Sequence, residues 1–115
     1  MSKFSKLVLG TAQFGSDYGI SNKKGVLKQK EIKKIFQLSS KSKIKFIDTA
    51  ISYEKANYEL SKNKLQNFKI ITKTPKLKYR NKNISVKNYV INNLLNFKKK
   101  ISYEKKIHAY LVHSP

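Results

Sequence analysis

The sequence predicts an α/β fold in which parallel β-strands alternate with α-helices. Four apolar runs of strand length are separated by stretches whose apolar residues recur at helical spacing. The four runs begin near Lys6, Lys43, Phe68 and His108. These intervals of roughly 25 to 40 residues suit strand–helix–strand crossover units. Such alternation favours one parallel sheet with right-handed connections.

The strand predictions rest on residue type. Residues 6–9, 44–47, 68–72 and 109–112 are mostly leucine, β-branched or aromatic. Continuous runs of this kind are typical of strands that are buried on both faces, as in a parallel sheet. We therefore expect four strands with little solvent on either side.

Two of the intervening helices are predicted from apolar stripes. The stripe within residues 28–41 consists of Ile32, Ile35 and Phe36. The stripe within residues 86–97 consists of Val86, Val90, Leu94 and Phe97, with Ile91 and Leu95 widening the same face. Both segments are therefore expected to be amphipathic helices.

The segment at residues 55–65 is a shorter helix candidate with two alternative inner faces. Either Tyr58 with Leu65, or Ala56 with Leu60, would face the core. Residues 13–26, between the first strand and the first helix, contain three of the four glycines and are expected to be a loop.

Composition limits the classes of protein that the chain can belong to. It has 115 residues, 26 Lys and Arg, 6 Asp and Glu, and a formal net charge of +20. The absence of cysteine excludes a disulfide scaffold and any thiolate metal site. No apolar run approaches the roughly 20 residues that span a bilayer, and no signal peptide is recognisable. We expect one cytoplasmic domain without a membrane partner.

The positive charge has two interpretations. Arg80 is the only arginine, and the lysines are spread along the whole chain rather than gathered in one block. Proteins that read nucleic-acid sequence usually depend on arginine, whose planar fork makes bidentate contacts. Solvated helix faces are therefore the favoured interpretation. A small lysine-rich protein that binds nucleic acid or another polyanion is the alternative.

Titratable residues follow three successive predicted strands. The second strand leads into Asp48, the third into Lys73 and the fourth into His113, while Tyr53 lies five residues beyond Asp48. In parallel α/β folds, loops at the carboxyl ends of the strands converge on one pocket. We therefore expect these four side chains to surround a common opening.

Together these groups have the chemistry of a proton donor to a carbonyl oxygen. A tyrosine hydroxyl ordinarily has a pKa near 10 and is a poor acid at neutral pH, but a neighbouring ammonium favours the phenolate. A carboxylate would hold that ammonium, and an imidazole would orient the carbonyl. Each residue also has a purely structural interpretation: Asp48 as a cap, Tyr53 as core packing, and His113 as a strand-end histidine.

Other constellations are weaker. His108 and His113 are separated by an odd number of positions and point to opposite faces of a strand, so no shared metal site is expected. No glycine-rich phosphate loop and no zinc-protease motif is present. Gly10 and Gly15 bracket the exit of the first strand, where a ligand could approach the backbone closely.

Four segments resemble the aldo-keto reductases when they are taken together. They are LGTAQFG at 9–15, FIDTA at 46–50 followed by Tyr53, IITK at 70–73 and LVHSP at 111–115. Their order and approximate spacing are those of the family, and the likeness spans residues 6–115. The exit loop at 17–20 is similar to that of a bacterial branch of the family.

The resemblance implies a (β/α)8 barrel that reduces aldehydes or ketones with NADP(H). It implies a catalytic tetrad of Asp48, Tyr53, Lys73 and His113, in which Tyr53 is the general acid and His113 positions the carbonyl. It implies that Gly10, Thr11 and Asp48 lie near the nicotinamide. It implies no metal.

The sequence departs from the family in residues and in length. Glu54 and Ser61 replace glycines, Asn57 replaces a glutamate, and Lys43 replaces the glycine that usually closes the first helix. A complete barrel takes about 250 residues. We therefore expect residues 1–115 to be the N-terminal half of a reductase domain, truncated after the fourth strand. This half is expected to be inactive alone and to need its missing half or self-association, and an oligomeric half-barrel without catalysis is a further alternative.

Overall fold

The sheet forms as the sequence predicts. The computed structural model describes residues 6–17, 19 and 25–114. Strands β1 (Val8–Gly10), β2 (Phe46–Asp48), β3 (Lys69–Lys73) and β4 (Ala109–Leu111) form one sheet in the order β1-β2-β3-β4. All three strand pairs are parallel. The predicted α/β alternation is thereby confirmed.

Three α-helices connect the strands. They are α1 (Gln29–Lys41), α2 (Glu54–Ser61) and α3 (Val86–Lys100), and a short 3-10 helix (Leu77–Tyr79) precedes α3. The side chain of Ser85 accepts a hydrogen bond from the Asn88 amide and caps the start of α3. Of the predicted loop at 13–26, residues 18 and 20–24 lie outside the described residues, and so does part of the segment at 17–20.

The core lies between the helices and one face of the sheet. Ile47 of β2 and Ile70 of β3 are fully buried there. The helices contribute Ile32, Phe36, Ala56, Leu60 and Phe97. The ring of Phe36 packs edge-on against Phe14 at 6.0 Å and Phe68 at 5.5 Å between centroids. Of the two alternatives for the segment at 55–65, Ala56 with Leu60 is the inner face of α2, because Tyr58 is 64% exposed; Leu65 of the other alternative is also buried, but it lies beyond the end of the helix.

The opposite face of the sheet is open. Val8, on the edge strand β1, is 46% exposed, and Leu111, on the edge strand β4, is 47% exposed. The expectation of strands buried on both faces was therefore wrong for these positions. The physical reason is that no element among the described residues packs against this side of the sheet.

The apolar margin of α3 is also exposed. Ile91 and Leu95, which were expected to widen the buried stripe, are 43% and 52% exposed. Of the predicted stripe itself, Phe97 is buried and Val90 and Leu94 are half-buried, but Val86 is 47% exposed. The stripe is therefore narrower than the spacing indicated, because nothing in the described part of the chain covers its outer margin.

Helix α1 ends in a left-handed residue that is not glycine. Lys43 has φ = 59°, and its amide donates to the Ser40 carbonyl. The Ile44 amide then reaches back to the Ser39 carbonyl at 2.9 Å. This is the usual turn at the end of a helix, formed here with a side chain that disfavours it.

Candidate functional site

The site begins with an ion pair between adjacent strands. Asp48 is the last residue of β2, and Lys73 is the last residue of β3. The Lys73 Nζ donates to Asp48 Oδ1 at 2.8 Å and to the Thr49 carbonyl at 2.8 Å. Because both strands are parallel and neighbouring, their carboxyl ends bring the two charges together. The ammonium is thereby fixed by two acceptors.

Tyr53 lies above this pair at the start of α2. It is the residue immediately before the helix, and its amide donates to the Ala50 carbonyl at 3.0 Å. Its ring centroid lies 5.6 Å from Lys73 Nζ, which is within the range of a cation–π contact. The phenol and the ammonium therefore share one rim of the sheet.

His113 completes the group from beyond β4. Its ring lies 5.9 Å from the Tyr53 ring between centroids, at an interplanar angle of 88°. Its Nδ1 lies 3.3 Å from the Ser52 Oγ. Its backbone amide donates to the Thr74 hydroxyl at 3.3 Å. The imidazole is thus held beside the phenol by residues from two different loops.

The four residues predicted from the strand ends therefore lie together at one end of the sheet. The arrangement joins a carboxylate, an ammonium, a phenol and an imidazole from three strand ends and the β2–α2 loop. Sequence reasoning did not find Thr49 and Ser52, which contact Lys73 and His113. Their only signal was their position between Asp48 and Tyr53.

The β2–α2 loop is held from α2 by Asn57. This side chain is 5% exposed. Its Nδ2 donates to the carbonyls of Ala50 at 2.9 Å and Ile51 at 3.3 Å, and its Oδ1 accepts from the Thr49 hydroxyl at 2.9 Å. The sequence marked Asn57 as a departure from the family, but not as a contact of this loop.

Gly10 and Thr11 occupy the end of β1 beside Asp48. Gly10 is the register partner of Asp48, and a Cβ added at Gly10 would meet nothing within 4 Å. Thr11 is buried, and both its amide and its hydroxyl donate to the Asp48 carbonyl. Gly10 therefore borders open space, whereas Thr11 supports Asp48. A direct contact between Thr11 and a cofactor stays a prediction.

A second group of basic residues lies at the opposite, amino ends of β3 and β4. A cleft there is lined by Lys69, Lys105, Lys106 and His108, and no carboxylate lines it. The ring of His108 packs against the ring of Phe46 at 4.8 Å between centroids, and the ammonium of Lys69 lies over the Phe46 ring. Three lysines therefore gather in this cleft without an acidic side chain in its lining.

The described residues hold neither a cluster of metal ligands nor a helix that could span a membrane. Among residues 6–17, 19 and 25–114, no three or more histidine or acidic side chains are grouped so that they could hold a metal ion. None of the helices in the same residues is both long enough and apolar enough to cross a membrane.

Comparison with known proteins places the fold. No family model and no curated protein matches the sequence. The solved structure of PA4992, a proposed aldo-keto reductase from Pseudomonas aeruginosa, is similar with a TM-score of 0.70 and 23% identity, over 93% of this chain and 42% of that chain. A second structure of a proposed aldo-keto reductase from the same bacterium has a TM-score of 0.69 and 21% identity, over 93% and 40%.

These comparisons confirm the resemblance at the level of the fold. The chain has the architecture of part of a (β/α)8 barrel of the aldo-keto reductase type. It spans about two fifths of the length of the solved structures that it matches.

Proposed function

We propose that this chain carries the proton-donating part of an NAD(P)H-dependent reductase that converts aldehydes or ketones to alcohols. The observation that carries the proposal is the shared position of Tyr53, Lys73, Asp48 and His113 at one rim of the sheet. These are the groups that protonation of a carbonyl oxygen requires.

Each residue has one role in the proposed reaction. Tyr53 donates its hydroxyl proton to the carbonyl oxygen of the substrate, and the Lys73 ammonium stabilises the phenolate that remains. Asp48 holds that ammonium in place through the 2.8 Å ion pair. His113, beside Tyr53, orients the carbonyl oxygen toward the phenol. The bound nicotinamide would supply the hydride that adds to the carbonyl carbon.

The described residues fit one end of such a cofactor. Gly10 offers backbone without a side chain beside open space, and Asp48 lies next to it. We propose that Gly10, Thr11 and Asp48 hold the nicotinamide end, with Thr11 acting through the Asp48 carbonyl. The phosphates and the adenosine would be bound by the remaining strands of the barrel. The residues that select between NADPH and NADH would also lie in those strands.

We further propose that residues 1–115 are the N-terminal half of a cytoplasmic reductase domain. The support is that four parallel strands with open edges match about two fifths of longer chains of the same fold. The site is then completed by the strands that close the barrel, and the substrate is a small carbonyl compound. No metal takes part in the proposed reaction.

The test is a closed barrel that contains this site. Residues 1–115 would be joined to the part of PA4992 that this chain does not cover, and NADPH oxidation would be followed with a panel of aldehydes. Tyr53→Phe removes the proton donor and should lower kcat by about 10²- to 10⁴-fold, the usual contribution of a general acid. Tyr58→Phe, at an exposed tyrosine of α2, is the matched control. A Tyr53→Phe barrel as active as the control contradicts the proposal.

Polyanion binding is the second candidate, and the cleft of Lys69, Lys105, Lys106 and His108 favours it. Its test replaces Lys69, Lys105 and Lys106 by glutamine and measures binding of a single-stranded oligonucleotide at several salt concentrations. The control replaces Lys30, Lys33 and Lys34 of α1, because both triple variants lose the same net charge. A cleft site requires that only the first variant lose affinity and salt dependence. Equal losses would indicate unspecific attraction to the net charge.

A further inference from the structure

We propose that Asn57 is a positioning residue for the candidate site, and that the loop between β2 and α2 requires an amide at this position. The side chain is buried and makes all of its polar contacts with the loop between β2 and α2. Two amide hydrogens go to the carbonyls of Ala50 and Ile51, and the amide oxygen accepts from Thr49.

This loop makes most of the contacts that join the site residues. The Thr49 carbonyl is the second acceptor of the Lys73 ammonium. The Ala50 carbonyl accepts from the Tyr53 amide and thereby sets where the tyrosine leaves the loop. The Ser52 hydroxyl lies against the His113 ring. A displacement of the loop would therefore move the phenol and remove one of the two partners of Lys73.

The contacts of Asn57 depend on donors that a carboxylate does not have. An ionised aspartate or glutamate only accepts hydrogen bonds, whereas an amide donates two and accepts others. A carboxylate at position 57 would face the two carbonyl oxygens of Ala50 and Ile51 without a hydrogen between them. An amide at position 57 therefore satisfies this loop, whereas an ionised carboxylate placed at the same atoms would leave both carbonyl oxygens without a donor.

The importance of this role for catalysis rests on the proposed function, but its test does not need activity. The chain would be labelled with a limiting amount of acetic anhydride, and mass spectrometry would give the ratio of acetylation at Lys73 to that at Lys69. Lys69 is exposed on the same strand and serves as the internal reference. Lys73 should be protected in the unaltered chain, because its Nζ has two acceptors.

Asn57→Asp and Asn57→Glu should raise the Lys73 to Lys69 ratio by roughly three- to tenfold, the range expected when a hydrogen bond that limits local opening is lost. The matched control is Asn63→Asp, because the Asn63 Nδ2 also donates to a carbonyl, that of Glu59, at the far end of α2. If Asn57 only stabilised the helix, its substitution would lower the melting temperature without changing the ratio of acetylation at Lys73 to that at Lys69.

If Asn57→Asp does not fold, Thr49→Val tests the same loop from its other side, since it removes the hydroxyl that donates a hydrogen bond to the Asn57 amide oxygen. The inference is overturned if Lys73 is as well protected in the folded Asn57→Glu chain as in the unaltered chain. Where Asn57→Asp cannot be folded, it is overturned if Lys73 is as well protected in Thr49→Val as in the unaltered chain. A barrel that fails to reduce aldehydes while Asn57→Asp exposes Lys73 would remove the proposed function and leave this inference standing.

Discussion

Tyr110 shows how a single half-buried phenol couples the sheet to a helix. Its hydroxyl donates to the Val90 carbonyl of α3 at 3.1 Å. Burial, and to a smaller extent the nearby Tyr89, raise the pKa of Tyr110 to about 12. Its neutral form is therefore favoured by folding. The contribution to stability is complete below the ordinary pKa of 10.0 and is lost as the pH rises through about 12.

The corresponding prediction concerns alkaline unfolding. The free energy of unfolding of the unaltered chain should fall between about pH 10 and pH 12. Tyr110→Phe, which keeps the ring, should make that fall shallower while it lowers stability at neutral pH, because the bond to Val90 is lost. Urea unfolding at a series of pH values measures both effects. Tyr79→Phe, at an exposed tyrosine, should change neither, and an unaltered alkaline slope in Tyr110→Phe would contradict the prediction.

Site residues differ in how well the sequence predicted them. Asp48 and Lys73 stand at strand ends, and parallel neighbours bring strand ends together, so their proximity follows from the order of the elements. The contacts of Thr49 and Asn57 follow from the course of a short irregular loop. No periodicity reports that course, so these residues could be found only in the structure.

At the scale of the element, the end of α1 carries local strain. Lys43 adopts φ = 59°, a region where a side chain costs about 1 kcal/mol relative to glycine. Lys43→Gly should therefore raise the free energy of unfolding by roughly 1 kcal/mol. Chemical unfolding of the two chains under the same conditions measures the difference.

The control for this prediction is the same change two residues earlier. Lys41→Gly lies in the last turn of α1, where glycine should lower stability by about 0.5–1 kcal/mol. Opposite signs at the two positions would attribute the effect to backbone conformation rather than to the lost lysine charge. Stabilisation by both changes, or by neither, would contradict the assignment of strain to Lys43.

The elements themselves were largely predictable, because their signal is local. The stripe of Ile32 and Phe36 predicted α1, and the apolar runs placed the strands to within a few residues. Exposure of Ile91 and Leu95 was not predictable from α3 alone. Whether an apolar residue is buried depends on the element that packs beside it, and the sequence pattern of one helix does not indicate which elements pack against it.

At the scale of the whole molecule, the sheet has one uncovered face, and β1 and β4 form its two edges among the described residues. Val8 and Leu111 present apolar side chains on these edge strands, which are the places where a sheet can pair with another chain. A net charge of +20 opposes contact between two copies. Self-association should therefore increase as salt screens that charge, and sedimentation velocity at rising ionic strength measures it.

Substitution on the open face gives the matching test. The double variant Val8→Gln with Leu111→Gln should sediment as a monomer at salt concentrations where the unaltered chain associates. Leu38→Gln removes a leucine of α1 that is 65% exposed, more than either residue of the sheet face, and is the control. The interpretation of the sheet face as the contact surface fails if Leu38→Gln prevents association as well as the double variant does, or if the unaltered chain is monomeric at every salt concentration.

The order of the strands has a consequence for synthesis. Each strand from β2 to β4 pairs with the strand that precedes it in the chain, and no pairing among the described strands joins two that are distant in sequence. A ribosome therefore delivers every new strand to an edge that has already been made, and the growing sheet never has to open for a late arrival. Such a chain can fold from its first residue onward, one unit behind translation. The edge left free at each moment is the surface that chaperones would need to shield.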